Sequence, residues 1–279
     1  YAFLNAIGRD HITQVKLGDH TLVEVTVLFA DIRDFTRLSE SMTPTENFNF
    51  VNTFVGRMGP VIQKHGGFVN QYLGDGIMAI FPESSQSAID ASKGMMRELN
   101  KFNLNRKSQG EESIRIGIGL HTGPLIMGII GDENRTDPAT IADTVNTSSR
   151  LEGLTKYYKA NIIVSEDSLS AYSNKKEEHF RFLGKVKLKG KAKVTGIYEC
   201  IDVDSDPLGK FKVDHHAIFH QAMDQYQNGQ LEKSLALFTQ LNMMEPSDLV
   251  VHFFLTKIKS LIDGGLPPDW EAIETMNDK

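Results

Sequence analysis

A single cysteine, Cys200, occurs in 279 residues, so no intramolecular disulfide can hold this fold and no Cys-cluster zinc site can form. A reducing compartment is the natural setting. No apolar run reaches the roughly 18 residues that a membrane-spanning helix needs. No tract is biased enough to read as disorder or as a fibrous repeat, and Gly 23 and Pro 9 are ordinary frequencies. Positive charge is in deficit, with 30 Lys and Arg against 36 Asp and Glu for a net charge of −6, which argues against a general nucleic-acid binder. An anionic substrate would therefore need a locally basic pocket. An initiator Met is missing as well. Tyr1 stands in its place, from which we expect this to be a piece of a longer protein with a sensor or membrane segment upstream. What is present, 24% charged and 40% hydrophobic residues, suits one large globular domain or one domain with an appendage.

Residues 23–30 are β-branched, aromatic and almost uninterrupted, which predicts a buried strand ending at Asp31. Phe48, Val51, Phe54, Val55, Met58 and Ile62 then recur at helical spacing behind Pro44. Two short apolar runs joined by Gly74-Asp75 predict a hairpin. A second helix is expected over 87–102, a polar loop over 103–112, and a second strand pair, 114–121 and 125–130, around Thr122-Gly123-Pro124. A third helix over 140–155 would bury Ile141, Val145, Leu151 and Leu154. Strands follow at 161–164, 180–188 and 193–201, the last two as a hairpin about Lys189-Gly190-Lys191. This order predicts an α/β (α+β) sandwich: a ferredoxin-like βαββαβ arrangement with a mixed, largely antiparallel sheet covered by helices. After about Pro207 strand signals vanish, and helices over 214–227, 231–243 and 248–262 make a small all-α extension. There, Ala222, Tyr226, Gly229, Leu231, Phe238 and Pro246 are spaced like one tetratricopeptide unit, which cannot bury its own faces and should pack on the rest. We thus divide the chain into a connector (1–20), an α/β domain (21–203) and a helical tail (204–279).

Asp31 and Asp75 come to neighbouring strands if the hairpin flanks the first strand, and together they could chelate a hard divalent cation through oxygen alone. Taken singly, a turn or strand-end Asp is most often structural. Asn146 and Arg150 lie four apart on the third helix and so face one way. The basic run 185–193 supplies positive charge in an acidic chain. Four blocks then converge: Leu28-Phe29-Ala30-Asp31-Ile32-Arg33-Asp34-Phe35-Thr36, Leu73-Gly74-Asp75-Gly76-Ile77-Met78-Ala79, Ile116-Gly117-Ile118-Gly119-Leu120-His121-Thr122-Gly123, and Val145-Asn146-Thr147-Ser148-Ser149-Arg150-Leu151-Glu152. In order and spacing, over about residues 20–202, they resemble a class III nucleotidyl cyclase domain.

That resemblance implies a head-to-tail homodimer with shared active sites, ATP as substrate, and 3′,5′-cyclic AMP and pyrophosphate as products. It implies two ions per site, Mg²⁺ or Mn²⁺, on Asp31, Asp75 and the Ile32 carbonyl. Asn146 would orient the ribose, Arg150 would meet charge on the α-phosphoryl oxygens, and Lys189, with Arg135 as a weaker candidate, would bind the terminal phosphates. The positions that read the base in this family hold Gln71 and Ala139, with Thr140 adjacent. A Gln amide can both donate and accept, so it suits adenine or guanine, whereas Ala139 offers no hydrogen bond. GTP therefore stays open as a substrate, and so does a catalytically weak, nucleotide-binding regulatory module. A diguanylate cyclase is disfavoured by the single Gly-Asp at the hairpin, and a pure interaction scaffold by there being only one helical unit. Gly117-Ile118-Gly119 is no dinucleotide loop, because no helix follows it. His65, His121 and His215-His216 read as packing or surface residues.

Overall fold

The computed structural model describes residues 18–131, 136–173, 175–188, 193–202, 208–267 and 270–276. Within them, nine strands form one sheet: β1 (His20–Ile32), β2 (Phe68–Leu73), β3 (Gly76–Phe81), β4 (Ile116–Gly131), β5 (Thr136–Ile141), β6 (Ile162–Ser165), β7 (Phe180–Leu188), β8 (Val194–Cys200) and β9 (Ile273–Met276). The spatial order is β2-β3-β1-β4-β6-β8-β7-β9, with β5 pairing β4. Only β4 with β6 and β7 with β9 run parallel. The first half of the chain is the expected βαββαβ unit. Its helices are α1 (Phe35–Ser39), α2 (Pro44–Lys64) and α3 (Ser85–Ser108), and α4 (Asp143–Tyr158) and α5 (Glu166–Ser170) follow. A tail of α6 (Gly209–Asp214), α7 (His216–Gln227), α8 (Leu231–Met244) and α9 (Leu249–Gly264) leads into β9.

Strand alternation assigns the two faces. On β1, Leu28, Ala30 and Ile32 point to one side, where Phe50, Phe54, Met58 and Ile62 of α2 and Ala88, Met95 and Leu99 of α3 complete a core. Helix α2 starts at a capping box: Thr43 accepts from the Glu46 amide and the Glu46 carboxylate accepts from the Thr43 amide. The alternate residues Val25 and Val27 face the other side, with Met78, Ile80, Leu125 and Met127. There α4 crosses the sheet.

Four local expectations change. Residues 103–108 continue α3 because their polar groups find partners. Asn103 donates to the Ile114 carbonyl and accepts from its amide, both at 2.8 Å, and Arg106 donates to the Glu112 carbonyl while its guanidinium lies over the Phe50 ring. Residues 114–131 do not turn at Thr122-Gly123-Pro124. Instead β4 is one 16-residue strand registered against β1 from Ile116 to Gly128. Pro124 falls between the stretches paired to β6 and to β5, so its missing N–H interrupts no ladder there. The third helix begins only at Asp143. Thr140 and Ile141, both β-branched, pair with Met127 and Ile126 on β4, and Ile141 is 59% exposed rather than buried. Finally, the tail is helical except for β9, a four-residue strand that extends the sheet beside β7.

The tail lies on the face that carries α4. Leu151, Leu154 and Tyr158 of α4 and Leu183, Val186 and Ile197 of the sheet share a core with Phe219, Tyr226, Phe238 and Phe254. A buried ion cluster crosses this junction. Arg181 on β7 donates to Glu199 on β8 at 2.8 Å and to Asp248, the N-cap of α9, at 2.6 Å, and Lys212 of α6 donates to Glu199 at 3.0 Å. The Arg181 guanidinium also stacks on Phe219, 4.3 Å from the ring centre. Burial pushes the Asp248 carboxyl up, but the Arg181 guanidinium and Lys212 outweigh it and hold the group below its ordinary value.

Replacing Arg181 with Met should cost about 3–5 kcal/mol in chemical denaturation at pH 7, because Asp248 stays buried without its Arg181 partner and Glu199 keeps only Lys212. A depressed carboxyl contributes stability that is present above its unfolded value and lost as pH falls through the folded one. The gap between wild type and Arg181→Met should therefore narrow below about pH 4.

A second prediction concerns the seat of α4. A methyl group on Gly119 would collide with the backbone nitrogen of Glu152 and lie 2.6 Å from the Ser148 carbonyl. Gly119→Ala should lower stability by about 1–3 kcal/mol, read from the denaturation midpoint at unchanged m-value.

Candidate functional site

Asp31 closes β1 on the side facing α4, the opposite parity from Leu28, Ala30 and Ile32. Asp75 sits in the two-residue turn between β2 and β3, where Gly74 adopts φ 67°, a conformation that favours glycine. Because β3 pairs β1 in the register Ala30↔Ile77, the turn lies directly beside Asp31. The Asp75 carboxyl lies within interaction range of Asp31, and Asp31 Oδ1 accepts from the Ile32 amide at 3.0 Å. Burial, then the neighbouring Asp75 carboxyl, then the charge of Glu152 push the Asp31 carboxyl up to about 8, against the partial relief of the Ile32 amide. Two acidic groups brought this close cannot both ionise without a nearby positive charge.

Glu152 was not anticipated. It lies half-buried on α4, and burial, opposed by Arg33 and reinforced by Asp75, raises its carboxyl to about 7. Its signal was available: Ser148, Glu152 and Thr155 are polar residues at helical spacing on the same face as Leu151. Ser148 Oγ donates to the carbonyls of Val27 and Gly119 at 2.7 and 3.0 Å, and a Cβ on Gly117 would strike Thr155 and Glu152. Gly117 is the register partner of Asp31. The two glycines of β4 thus let α4 lie close enough to bring Glu152 to the acidic pair.

Asp31, Ile32 and Asp75 line an open cleft of about 650 Å³ whose other walls include Asp34, Phe35, Arg37 and Lys156. The donor set is oxygen only, two carboxylates beside a backbone carbonyl, and it fits a hard divalent cation that takes its remaining ligands from water or phosphate. Among the described residues there is no cluster of three or more His, Cys, Asp or Glu arranged to hold a metal. Lys156 donates to Asp34 at 3.1 Å and supplies positive charge at the rim.

Asn146 is exposed and Arg150 half-buried, both on α4, and neither lines the cleft. One chain therefore does not bring Asn146 and Arg150 together with Asp31 and Asp75. Gln71 is exposed on β2, opposite Met78. Ala139 and Thr140 are half-buried on β5, where Asn70 donates to Thr140 Oγ1 at 3.4 Å. Lys189 and Arg135 lie outside the described residues, as do residues 1–17 of the expected connector. The histidines accept packing roles: His216 contacts the Phe180 carbonyl and His121 contacts Ser165 Oγ.

The family model described as "Adenylate and Guanylate cyclase catalytic domain" matches residues 19–198. An adenylate cyclase of Anabaena cylindrica is 39% identical over 203 residues, which are 71% of this chain and 40% of that protein. The "Adenylate cyclase, terminal-differentiation specific" of Dictyostelium discoideum is 33% identical over 252 residues, 88% of this chain and 12% of that protein. A match of that extent runs past the family domain into the helical tail. Among solved structures, the guanylyl cyclase Cya2 superposes with a TM-score of 0.56 at 28% identity, covering 64% of this chain and 92% of that one. The chain thus spans well under half the length of both of these relatives, and it belongs to the adenylate and guanylate cyclase catalytic domain family.

Proposed function

We propose that this chain is an adenylate cyclase that converts ATP to 3′,5′-cyclic AMP and pyrophosphate at sites shared between two copies. The observation that carries this reading is the Asp31–Asp75 pair, set side by side by the β1–β3 register and lining one open cleft with Ile32. Asp31, Asp75 and the Ile32 carbonyl would hold two Mg²⁺ or Mn²⁺ ions, which supply a lowered pKa for the ribose 3′-hydroxyl and charge neutralisation for the phosphates. Asn146 orients the ribose. Arg150, a planar cation that keeps its proton, meets the negative charge that grows on the α-phosphoryl oxygens. Lys189 and Arg135 hold the terminal phosphates. Gln71 and Thr140 meet the base, and Ala139 makes the pocket less selective because it leaves one edge of the base unread. Adenine is favoured by the two adenylate cyclase relatives; GTP is the alternative, favoured by the ambidextrous Gln71 amide and by the likeness to a guanylyl cyclase.

Two observations support the dimer. Asn146 and Arg150 stand apart from the acidic cleft, so a second copy has to bring them to it. Leu22, Ile126 and Ile141 are register neighbours across β1, β4 and β5 and are 68%, 39% and 59% exposed, an apolar row that suits a self-interface. We take residues 21–203 as the catalytic unit and 204–279 as its tail, the latter built on one tetratricopeptide-like helical pair. An upstream sensor or membrane segment would then bring the signal to a cytoplasmic catalytic end. No described helix is long and apolar enough to cross a membrane.

Purified chain with Mn²⁺ and ATP should form cyclic AMP, detected by chromatography, and Asp31→Ala should lower kcat at least about 100-fold with an unchanged far-UV spectrum. No cyclic product from ATP or GTP in a dimeric sample would leave the regulatory-module reading instead. Mixing Asp31→Ala chains with Arg150→Ala chains in equal amounts should restore about a quarter of wild-type activity, because half the dimers are mixed and each mixed dimer has one intact site. No recovery on mixing would place all the residues of a site in one chain.

A further inference from the structure

The last described element, β9, contacts both β7 and the end of α4, the helix that carries Asn146 and Arg150. Strand β9 pairs in parallel with β7 from Lys185↔Ile273 to Leu188↔Met276. Leu188 immediately precedes Lys189 in sequence. Without β9, β7 would be the edge of the sheet and would be held by β8 alone. On the same strand, Glu274 accepts from the Tyr157 hydroxyl at 3.0 Å and forms an ion pair with Lys257 of α9. Tyr157 sits in the last turn of α4, seven residues and about two turns beyond Arg150. Its ring packs edge-on against Phe253 of α9 at 4.9 Å, and the Lys257 ammonium lies 6.0 Å from the same ring. Trp270, just ahead of β9, packs edge-on against Tyr226 of α7 at 5.5 Å, which ties the returning chain to the helical tail.

We propose that β9 is a clamp and Glu274 a positioning residue: through Tyr157 it fixes the end of α4, and through β9 pairing it holds the strand that leads to Lys189. The inference rests on the reading of Asn146, Arg150 and Lys189 given above. A helix moves as a rod, so an anchor at Tyr157 fixes the axial position of Arg150. Placement of a charge-stabilising group by a fraction of an ångström weighs on the chemical step far more than on ground-state binding. The tail is then part of the catalytic unit rather than a neighbour of it. Such a function requires a carboxylate, or an amide oxygen in its place, at residue 274. A merely structural strand would require only the backbone.

Full-length Glu274→Ala, Glu274→Gln and Tyr157→Phe chains separate these roles. Glu274→Ala and Tyr157→Phe should each lower kcat about tenfold while KM for ATP stays within about twofold. The double variant should be no worse than either single one, and Glu274→Gln, which still accepts from the Tyr157 hydroxyl, should recover most of the loss. Variants within about twofold of wild type in kcat would overturn the proposal, as would losses that follow the melting temperature without rescue by Gln. If the wild-type chain formed no cyclic nucleotide, the cyclase reading would fail first. Amide exchange would then decide the clamp: faster exchange in α4 and β7 of Glu274→Ala, with α2 and α3 unchanged, would support it, and unchanged exchange in α4 would overturn it.

Discussion

The site depends on how closely one helix can approach one strand. Gly117 and Gly119 expose bare backbone on β4, and α4 settles onto it, with Ser148 hydrogen-bonded to carbonyls of both β1 and β4. Every side chain added to that strip would lift the helix. Three consequences follow from the contact. Glu152 comes within electrostatic reach of Asp31 and Asp75, Asn146 and Arg150 are held at a fixed height above the sheet, and Tyr157 is delivered to the tail. The core on the opposite face is conventional helix-on-sheet packing and would tolerate volume-conserving exchange. The glycine strip would not, because Gly119 faces helix backbone and Gly117 faces the Thr155 and Glu152 side chains at closer than contact distance.

Much of this was legible in the sequence, for identifiable reasons. The buried strand ending at Asp31, the Gly-Asp hairpin and the helix behind Pro44 declare themselves through local chemistry: a β-branched run, a Gly-Asp pair between two apolar runs, and apolar residues at helical spacing behind a proline. Asp31 and Asp75 come to neighbouring strands on the condition that the Gly-Asp hairpin flanks the first strand, and the β1–β3 pairing meets that condition. What failed was decided at a distance. Pro124 read as a break because no local signal shows that β1 would pair along the whole of β4 on one side while the other side lay open at that residue. Thr140 and Ile141 read as helix because their apolar spacing fits either state, and pairing to β4 decided for strand. Glu152 escaped because a carboxylate in a helix is most often solvated, and only Gly117 across the interface shows why this one is not.

The tail teaches a related lesson. Its helices follow from their periodicity, but their place on the sheet is set by a charge cluster spread over 67 residues of sequence between Arg181 and Asp248. Buried ion pairs add little net stability relative to apolar packing, yet they punish any arrangement that separates them. Here the punished arrangements are those in which α9 docks in another register. Asp248 also caps α9, accepting from the amides of Val250 and Val251, so the start of the helix and its docking are one event. That docking in turn aims the remaining chain, past Trp270, at the open side of β7.

The acidic balance of the chain takes on a local meaning at the cleft. Asp31 on β1 and Glu152 on α4 are brought together at some expense to stability: a carboxyl raised by folding favours the folded state below its unfolded pKa and loses that advantage as pH rises through, for Asp31, about 8. A fold selected for stability alone would place an apolar or cationic side chain opposite Gly117. Keeping a third acid there, with Arg33 as its counter-charge, adds to the negative potential around Asp31 and Asp75, while Arg37 and Lys156 are the cations among the residues that line the cleft. That pattern attracts divalent cations and a polyanion bound with them, and repels the polyanion alone. The net charge of −6 is thus compatible with an anionic substrate that arrives together with its cations, as the proposed function requires.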